Sequence, residues 1–371
     1  MKITGVETYW TQTPFDMGGK PKVMGGLNWQ TMNTVWLRIR TDSGIDGWGE
    51  AFGHGTAAGT LTVLDTQLAP AVLGQDARDI SGLRQKLAKA FHIYGRNGPH
   101  VFALSALDIA LWDIAGKVAG QPLWRLLGGS PVETMPGYAS LLRYGEAPQV
   151  AAACERAAAR GYRAVKLHEI TTPEIAAARD ALGDDAKLMV DVNCPWTVWQ
   201  ALDMARDLEA LDLTWLEEPV WPPGDHQGLA RVRMEGGIPI AAGENAAGLH
   251  DFRAAFEAGA QDIAQPSVIK IGGPSAMVEI AALAKAFGVR LVPHNAYFGA
   301  GYLASLHCNA ALASDAPFER LFVDLEASPY GDLVEAKNGR VTVPTGPGLG
   351  RDPDMAVLKR YLAREPTIHT A

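Results

Sequence analysis

Three runs decide the reading of this chain: KLMVDVN at residues 187–193, LTWLEEP at 213–219 and IPIAAGEN at 238–245. Each is an apolar stretch that finishes in an acid: Asp191, Glu217 and Glu244, spaced 26 and 27 residues apart. An earlier run, YRAVKLHEI at 162–170, carries Lys166 and His168, and a later one, GVRLVPHN at 288–295, carries His294. A buried parallel strand of about five residues, a helix of ten to twelve and two short loops take roughly 25 residues, so this period is that of a βα unit. In a parallel α/β fold the strand carboxyl ends gather at one face, where the chemistry sits, so the acids are expected to meet in space.

Working outward, strand-like runs fall at 135–140, 162–168, 188–192, 213–216, 238–242, 262–266, 290–293 and 321–325, with Ala-rich helical stretches between them. Eight strands alternating with helices favour a closed barrel over an open sheet. Residues 1 to about 55 read instead as an antiparallel meander. ITGVETYW, TVWLRIRT and DGWGEA are short and rich in β-branched or aromatic residues, and DMGGKPKVMGG at 16–26 separates the first two. That segment is either a plain connection or a lid whose Lys20 and Lys22 close on an anionic ligand. Helical spacing follows at 57–73 and 80–90, and then in a long helix with the stripe Leu104, Leu107, Leu111, Ile114 and Ala115, stopped by Gly120 and Pro122. Asp108 and Asp113 on this helix are expected to face solvent or to cap. The expected layout is an α+β capping domain at 1–128, a barrel at 129–326 and a segment at 327–371 that packs back on the first domain.

With 371 residues, 47% of them hydrophobic, the chain has ample material for a core. A net charge of −8 offers no basic stripe for nucleic acid, and no apolar run is long enough for a bilayer. Neither partner is expected. The amino terminus lacks the pattern of a secretory signal, and Cys154, Cys194 and Cys308 are odd in number and widely spaced. A reduced, cytoplasmic enzyme is the expectation.

Three acids at equivalent ends of consecutive strands repel unless a cation sits among them; the alternative is that they serve only as caps and salt bridges. An all-oxygen ligand set suits Mg²⁺, with Mn²⁺ as a substitute, and leaves coordination positions for substrate or water. Asn193, Glu218 and Asn245 beside them are candidates to support the ligands, touch substrate or merely cap. Lys166 and His168 lie two apart on one strand and so point the same way, while His294 approaches from a strand nearly opposite. A metal flanked by two proton carriers suits removal of the proton next to a carboxylate, and the substrate expected is a small-molecule carboxylate.

The acid triad at this spacing, the KxH in place of KxK, the DVN, EEP and GEN strand ends, KIGG at 270–273, PHN at 293–295 and SALDIALWDIAGKVAGQPLWRLLGG at 105–129 together resemble the enolase superfamily. More narrowly, the sequence is similar to the mandelate racemase and muconate lactonizing group. The resemblance covers nearly the whole chain and implies an α/β fold, a modified (β/α)7β barrel with an α+β cap, together with Mg²⁺ and a homo-oligomer, often an octamer. It also implies the chemistry, a Lys or His base working beside Mg²⁺ on an ene-diolate, which spacing alone does not. By the same resemblance Asp191, Glu217 and Glu244 match the metal ligands, Lys166 matches a lysine that steadies the substrate carboxylate, and His168 and His294 match the bases on the two faces.

Two departures matter. Where such relatives carry an Asp paired with the histidine, or a second lysine, this chain has Ser267. His294 thus lacks the orienting carboxylate and is expected to act as an acid or hydrogen-bond donor. The acid expected after the eighth strand is either Asp324 or Glu326. Dehydration of an acid sugar ranks first on these grounds, ahead of racemisation or epimerisation and of cycloisomerisation of a lactone or anhydro sugar. Lys20, Lys22, His54, Lys270, Asn295 and Tyr297 are the further candidates to bind a hydroxylated or doubly acidic substrate. A barrel that binds metal and anion without turnover is the alternative of a different class.

Overall fold

The computed structural model describes residues 1–20 and 29–371. Strands β1 (Ile3–Asp16), β2 (Thr31–Thr41) and β3 (Gly47–Ala51) form the expected antiparallel meander, with Val6 opposite Ile39 and Leu37 opposite Gly49. The glycines of GWGEA have a packing reason. The long helix Pro99–Ala119 lies so close to β3 that a Cβ on Gly49 would sit 2.0 Å from the Ala106 carbonyl oxygen. That helix starts on Pro99 and ends on Gly120 at φ 62°, a left-handed position suited to glycine.

The second sheet holds β4 (Thr134–Ser140), β5 (Ala164–Leu167), β6 (Lys187–Asp191), β7 (Leu213–Glu217), β8 (Ile240–Ala242), β9 (Ile263–Ala264) and β10 (Arg290–Leu291) as consecutive parallel neighbours. The eighth barrel strand, β11 (Phe318–Leu321), pairs in parallel with β4, carrying the sheet round into the modified barrel. It begins three residues before the expected run. Among the described residues no ladder joins β10 to β11. Asn295 stitches that seam: its backbone N–H donates to Glu319 Oε2 at 2.9 Å and its Nδ2 to the Glu319 carbonyl at 3.3 Å. Asn295, expected to touch substrate, is fully buried in this structural task.

The expected strand 321–325 is thus split between two sheets. Asp324–Leu325 form β12, which pairs antiparallel with β1, while the hairpin β13 (Ala336–Lys337) and β14 (Arg340–Thr342) adds to β4. The terminal strand β15 (Thr367–Thr370) returns to β1. Residues 327–371 therefore pack on both layers. No helix among the described residues is long and apolar enough to cross a membrane.

Carboxylates of the first layer tie down the second. Asp108 accepts from Ser275 N at 2.8 Å and Ser275 Oγ at 2.7 Å, so it caps the barrel helix Gly273–Phe287, which has no side-chain cap of its own. Glu50 does the same for the helix Ala300–Leu312 by accepting from Gly301 N at 2.8 Å. Asp113 accepts from Trp48 N and Leu349 N and pairs with Lys117 at 2.8 Å. Of the two roles expected for these aspartates, solvent-facing or capping, the structure takes the second: both are buried, because they satisfy backbone donors where two layers meet.

Burial pushes the Glu50 carboxyl up to about 8, against the pull of the Gly301 and Gly299 backbone donors. An unfolded glutamate holds its proton only to about pH 4.3, so the folded chain is the better proton binder between those values. The stability that protonation contributes is complete below about pH 4 and is lost as pH rises through about 8. Glu50→Gln, which keeps an acceptor oxygen, should remove this slope. Thermal midpoints of the two proteins should diverge from pH 5 to 8.5 by the equivalent of ~2 kcal/mol or more in favour of the variant; parallel curves would mean that Glu50 is ionised in its cap.

Candidate active site

At the carboxyl ends of β6, β7 and β8 the chain delivers Asp191, Glu217 and, two residues past β8, Glu244. Each offers a carboxylate oxygen, and these oxygens lie within 4.8 Å of one another. Left-handed backbone at Asn193 (φ 54°), Cys194 (φ 56°) and Glu218 (φ 47°) turns the chain sharply just after two of the acids. Such conformations cost energy in residues with a Cβ and persist where surrounding contacts enforce them. Here Asn193 N donates to Asp191 Oδ1 at 3.0 Å, and Cys194 N donates to the Glu218 carbonyl at 2.7 Å.

Glu217 is held on every side. Its Oε2 accepts from Trp215 Nε1 at 3.0 Å and Gln265 Nε2 at 2.8 Å, and its Oε1 faces Lys166 Nζ at 2.9 Å. Lys166, fully buried, also lies 2.8 Å from Glu319 Oε1 and 3.4 Å from Asp191 Oδ2. The acid that the eighth strand contributes is thus Glu319, not Asp324 or Glu326. Asp324 pairs with Arg160 at 2.7 Å, and Glu326 meets Arg360 at 3.3 Å and Tyr361 at 3.0 Å; both pairings are on the surface. Glu319 is 1% exposed within the run PFERLF, and a charge inside an apolar strand is the signal that could have found it.

The two histidines approach from different strands. His168 Nδ1 faces the Leu141 carbonyl, which can only accept, so Nδ1 carries the hydrogen and Nε2 is the basic nitrogen. That Nε2 points at Asp191 Oδ2, 3.3 Å away. His294 Nε2 lies 2.8 Å from Glu244 Oε2, and its buried Nδ1 has no hydrogen-bond partner. Ser267 stands beside it in an isolated parallel bridge and gives its hydroxyl to Tyr297 instead. Tyr297, expected to bind substrate, is buried, and its hydroxyl donates to the His294 carbonyl at 3.2 Å; it braces the histidine's backbone.

Electrostatics set the character of the centre. Burial would raise Asp191, Glu244 and Glu319, yet Lys166 holds Asp191 and Glu319 below the usual carboxylate range and His294 with Lys270 holds Glu244 well below it. Burial, together with Asp191, pushes Glu217 up to about 8, and burial with Glu244 raises Glu218 well above the usual range. Both histidines are raised: burial opposes this, but Asp191 acts on His168 and Glu244 on His294 more strongly. Five acids, Asp191, Glu217, Glu218, Glu244 and Glu319, thus face two ammonium groups, Lys166 and Lys270, and two histidines that Asp191 and Glu244 hold toward the charged form. A small divalent cation among the three clustered oxygens fits both this excess and the all-oxygen donor set.

The remaining candidates divide. Asn245 joins Glu218 (Nδ2 to Oε2, 2.7 Å) to Lys270 (Nζ to Oδ1, 3.0 Å), so it links side chains and is no helix cap. Asn193 Oδ1 is buried without a partner. His54 reaches the barrel from the first layer, stacked on Trp29 at 4.4 Å, and burial with Lys270 lowers its pKa to about 3. Lys20 is exposed, and Lys22 lies outside the described residues.

A barrel with a carboxylate triad, a buried lysine and two opposed histidines at its mouth defines a metal-assisted proton-transfer enzyme of the capped-barrel class. Residues 6–128 match the family described as Mandelate racemase / muconate lactonizing enzyme, N-terminal domain, and residues 149–357 match Enolase C-terminal domain-like. The chain belongs to the mandelate racemase and muconate lactonizing enzyme group of the enolase superfamily. It is 34% identical to the D-galactarolactone cycloisomerase of Agrobacterium fabrum over 99% of this chain and all of that one. It is 32% identical to the arabinonate dehydratase of Saccharolobus solfataricus, over 91% of this chain and 92% of that one. A crystal structure of a racemase from Streptomyces coelicolor A3(2) with bound magnesium superposes with a TM-score of 0.84, at 30% identity, covering 96% of this chain and 99% of the other.

Proposed function

We propose that this protein removes the proton α to the carboxylate of an acid sugar and then expels the β oxygen, most simply as water. The observation that carries this is the pair of differently equipped histidines on either side of one carboxylate cluster. His168, its tautomer set by the Leu141 carbonyl, presents a basic Nε2 and takes the α-proton. His294, whose Nδ1 has no acceptor to orient it, delivers a proton from Nε2 to the departing oxygen. Lys166 and Glu319, 2.8 Å apart at the floor of the site, position the substrate carboxylate. Asp191, Glu217 and Glu244 would hold Mg²⁺, which supplies the positive charge that makes an α-proton acidic enough to remove. The magnesium-bound relative and the acid-sugar specificities of the other two support both halves of this reading.

Cycloisomerisation is the second reading. It uses the same proton abstraction and expels an oxygen that stays tethered as part of a lactone or anhydro ring, and the galactarolactone relative favours it. The two separate in D₂O. With mono- and diacid sugars and their lactones presented to the Mg²⁺-loaded protein, loss of water, with one solvent deuterium taken up at the β-carbon as the enol ketonises, marks dehydration. Deuterium gained with no water lost marks isomerisation. Absence of both across the library would overturn the proposed reaction. We further infer a homo-oligomer, a cap at 1–128 with a barrel that follows it and whose last strand ends at Leu321 rather than at the expected 326, and a reducing compartment, the last supported by three free cysteines.

A further inference from the structure

Lys270 is 8% exposed, yet no carboxylate among the described residues lies within ion-pair distance of it. The other site ammonium, Lys166, is committed to three acids. The partners of Lys270 are one amide oxygen, Asn245 Oδ1, and the face of Phe52, whose ring centroid is 5.0 Å from Nζ. Two of its three N–H donors remain. Phe52 belongs to the first layer and packs on His54 at 4.7 Å, and His54 stacks in turn on Trp29. The indole N–H of Trp29 is buried with no acceptor. His54 itself sits at φ 22°, a backbone conformation held only by its surroundings.

Among the described residues, the junction between the cap and the barrel therefore presents two donors with no carboxylate paired to them: a buried ammonium on an aromatic ring and an unpaired indole N–H. It is separate from the Lys166–Glu319 floor. It abuts the metal triad on the Glu244 side, where Asn245 bridges from Lys270 to Glu244 Oε1 at 3.2 Å. A desolvated cation with spare donors is compensated when a ligand brings an anion to it.

We propose that Lys270 and Trp29 form a second anion subsite that receives the far carboxylate of the substrate, so that the enzyme selects diacid sugars over monoacids of the same configuration. The inference rests on the acid-sugar reading above and narrows it. Glu244 and Glu218 act on Lys270 only from beyond ion-pair distance, so a neutral, hydroxylated tail leaves its two spare N–H donors without an anionic acceptor, whereas a second carboxylate supplies one.

Calorimetry on the Mg²⁺-loaded enzyme tests this irrespective of turnover, with six-carbon aldaric and aldonic acids of matched configuration as ligands. The diacid should bind at least about tenfold more tightly. Lys270→Gln should cut that ratio at least about tenfold, and Trp29→Phe, which keeps the stacked ring and removes only the N–H, about threefold. Lys270→Arg, which retains the charge, should preserve most of the preference and guards against misfolding as the cause. Equal affinities in the wild type, or a preference that survives Lys270→Gln, would overturn the proposal. Diacid preference without loss of water or uptake of deuterium would strike the proposed reaction and leave this subsite standing.

Discussion

Glu217→Gln is expected to abolish turnover, by about a thousandfold or more, while leaving the chain folded. The side chain is fully buried and its volume hardly changes, and a glutamine carbonyl oxygen in the place of Oε2 can accept from both Trp215 Nε1 and Gln265 Nε2 as the carboxylate does. What is lost is one of three carboxylates that would hold a cation. What is created is an amide NH₂ pointing at the Lys166 ammonium, 2.9 Å away in the wild type. The Lys166 ammonium keeps Glu319 and Asp191 as partners, so the metal-free variant should stay folded, and the readout is the change that metal produces in each protein. Added Mg²⁺ should then raise the melting temperature of the wild type and not of the variant. A variant that still gained stability from Mg²⁺ and kept its activity would show that Glu217 is not a ligand.

His168→Asn should cost about two to four orders of magnitude in kcat with metal binding intact, because the group removed is the basic nitrogen and not a triad member. Exchange separates its role from that of His294. If His168 takes the α-proton, His168→Asn loses both product formation and deuterium uptake at the α-carbon. His294→Asn loses product formation and keeps uptake, since proton removal no longer leads to expulsion of the oxygen. The reverse pattern would exchange the two assignments. Loss of uptake in both variants would show that the histidines act as one unit.

The clustering of the three acids was legible because its signal is periodic. A βα repeat fixes which residues end consecutive strands, and the same period put Lys166, His168 and His294 at the mouth. The errors arose where the period ends. Nothing in LFVDLEAS says that the last barrel strand lies three residues earlier, since Phe318–Leu321 and 321–325 both mix apolar and charged residues and only pairing with β4 selects between them. That small shift hid Glu319 and promoted Asp324 and Glu326. Asn295 and Tyr297 were misjudged differently: a polar residue after a strand can face the mouth or turn inward to mend a seam, and the choice depends on a neighbour distant in sequence. For Asp108 and Asp113 a capping role was legible and its recipients were not, because donors such as Ser275 and Leu349 lie more than 160 residues away.

The borrowed caps have a consequence for how the molecule comes apart. Two barrel helices rely on Asp108 and Glu50 for their first turns, so lifting the first layer off the second leaves those turns with bare N–H groups. Separation of the layers and fraying of these helices thus become one cooperative event, although the chain is built from two recognisable units. The amides at Ser275 and Gly301 should exchange with solvent in step with those of β3, as parts of a single opening unit that spans both layers. Grafting this barrel onto a different cap would require a carboxylate at each of those two places before the helices over the active site could keep their ends.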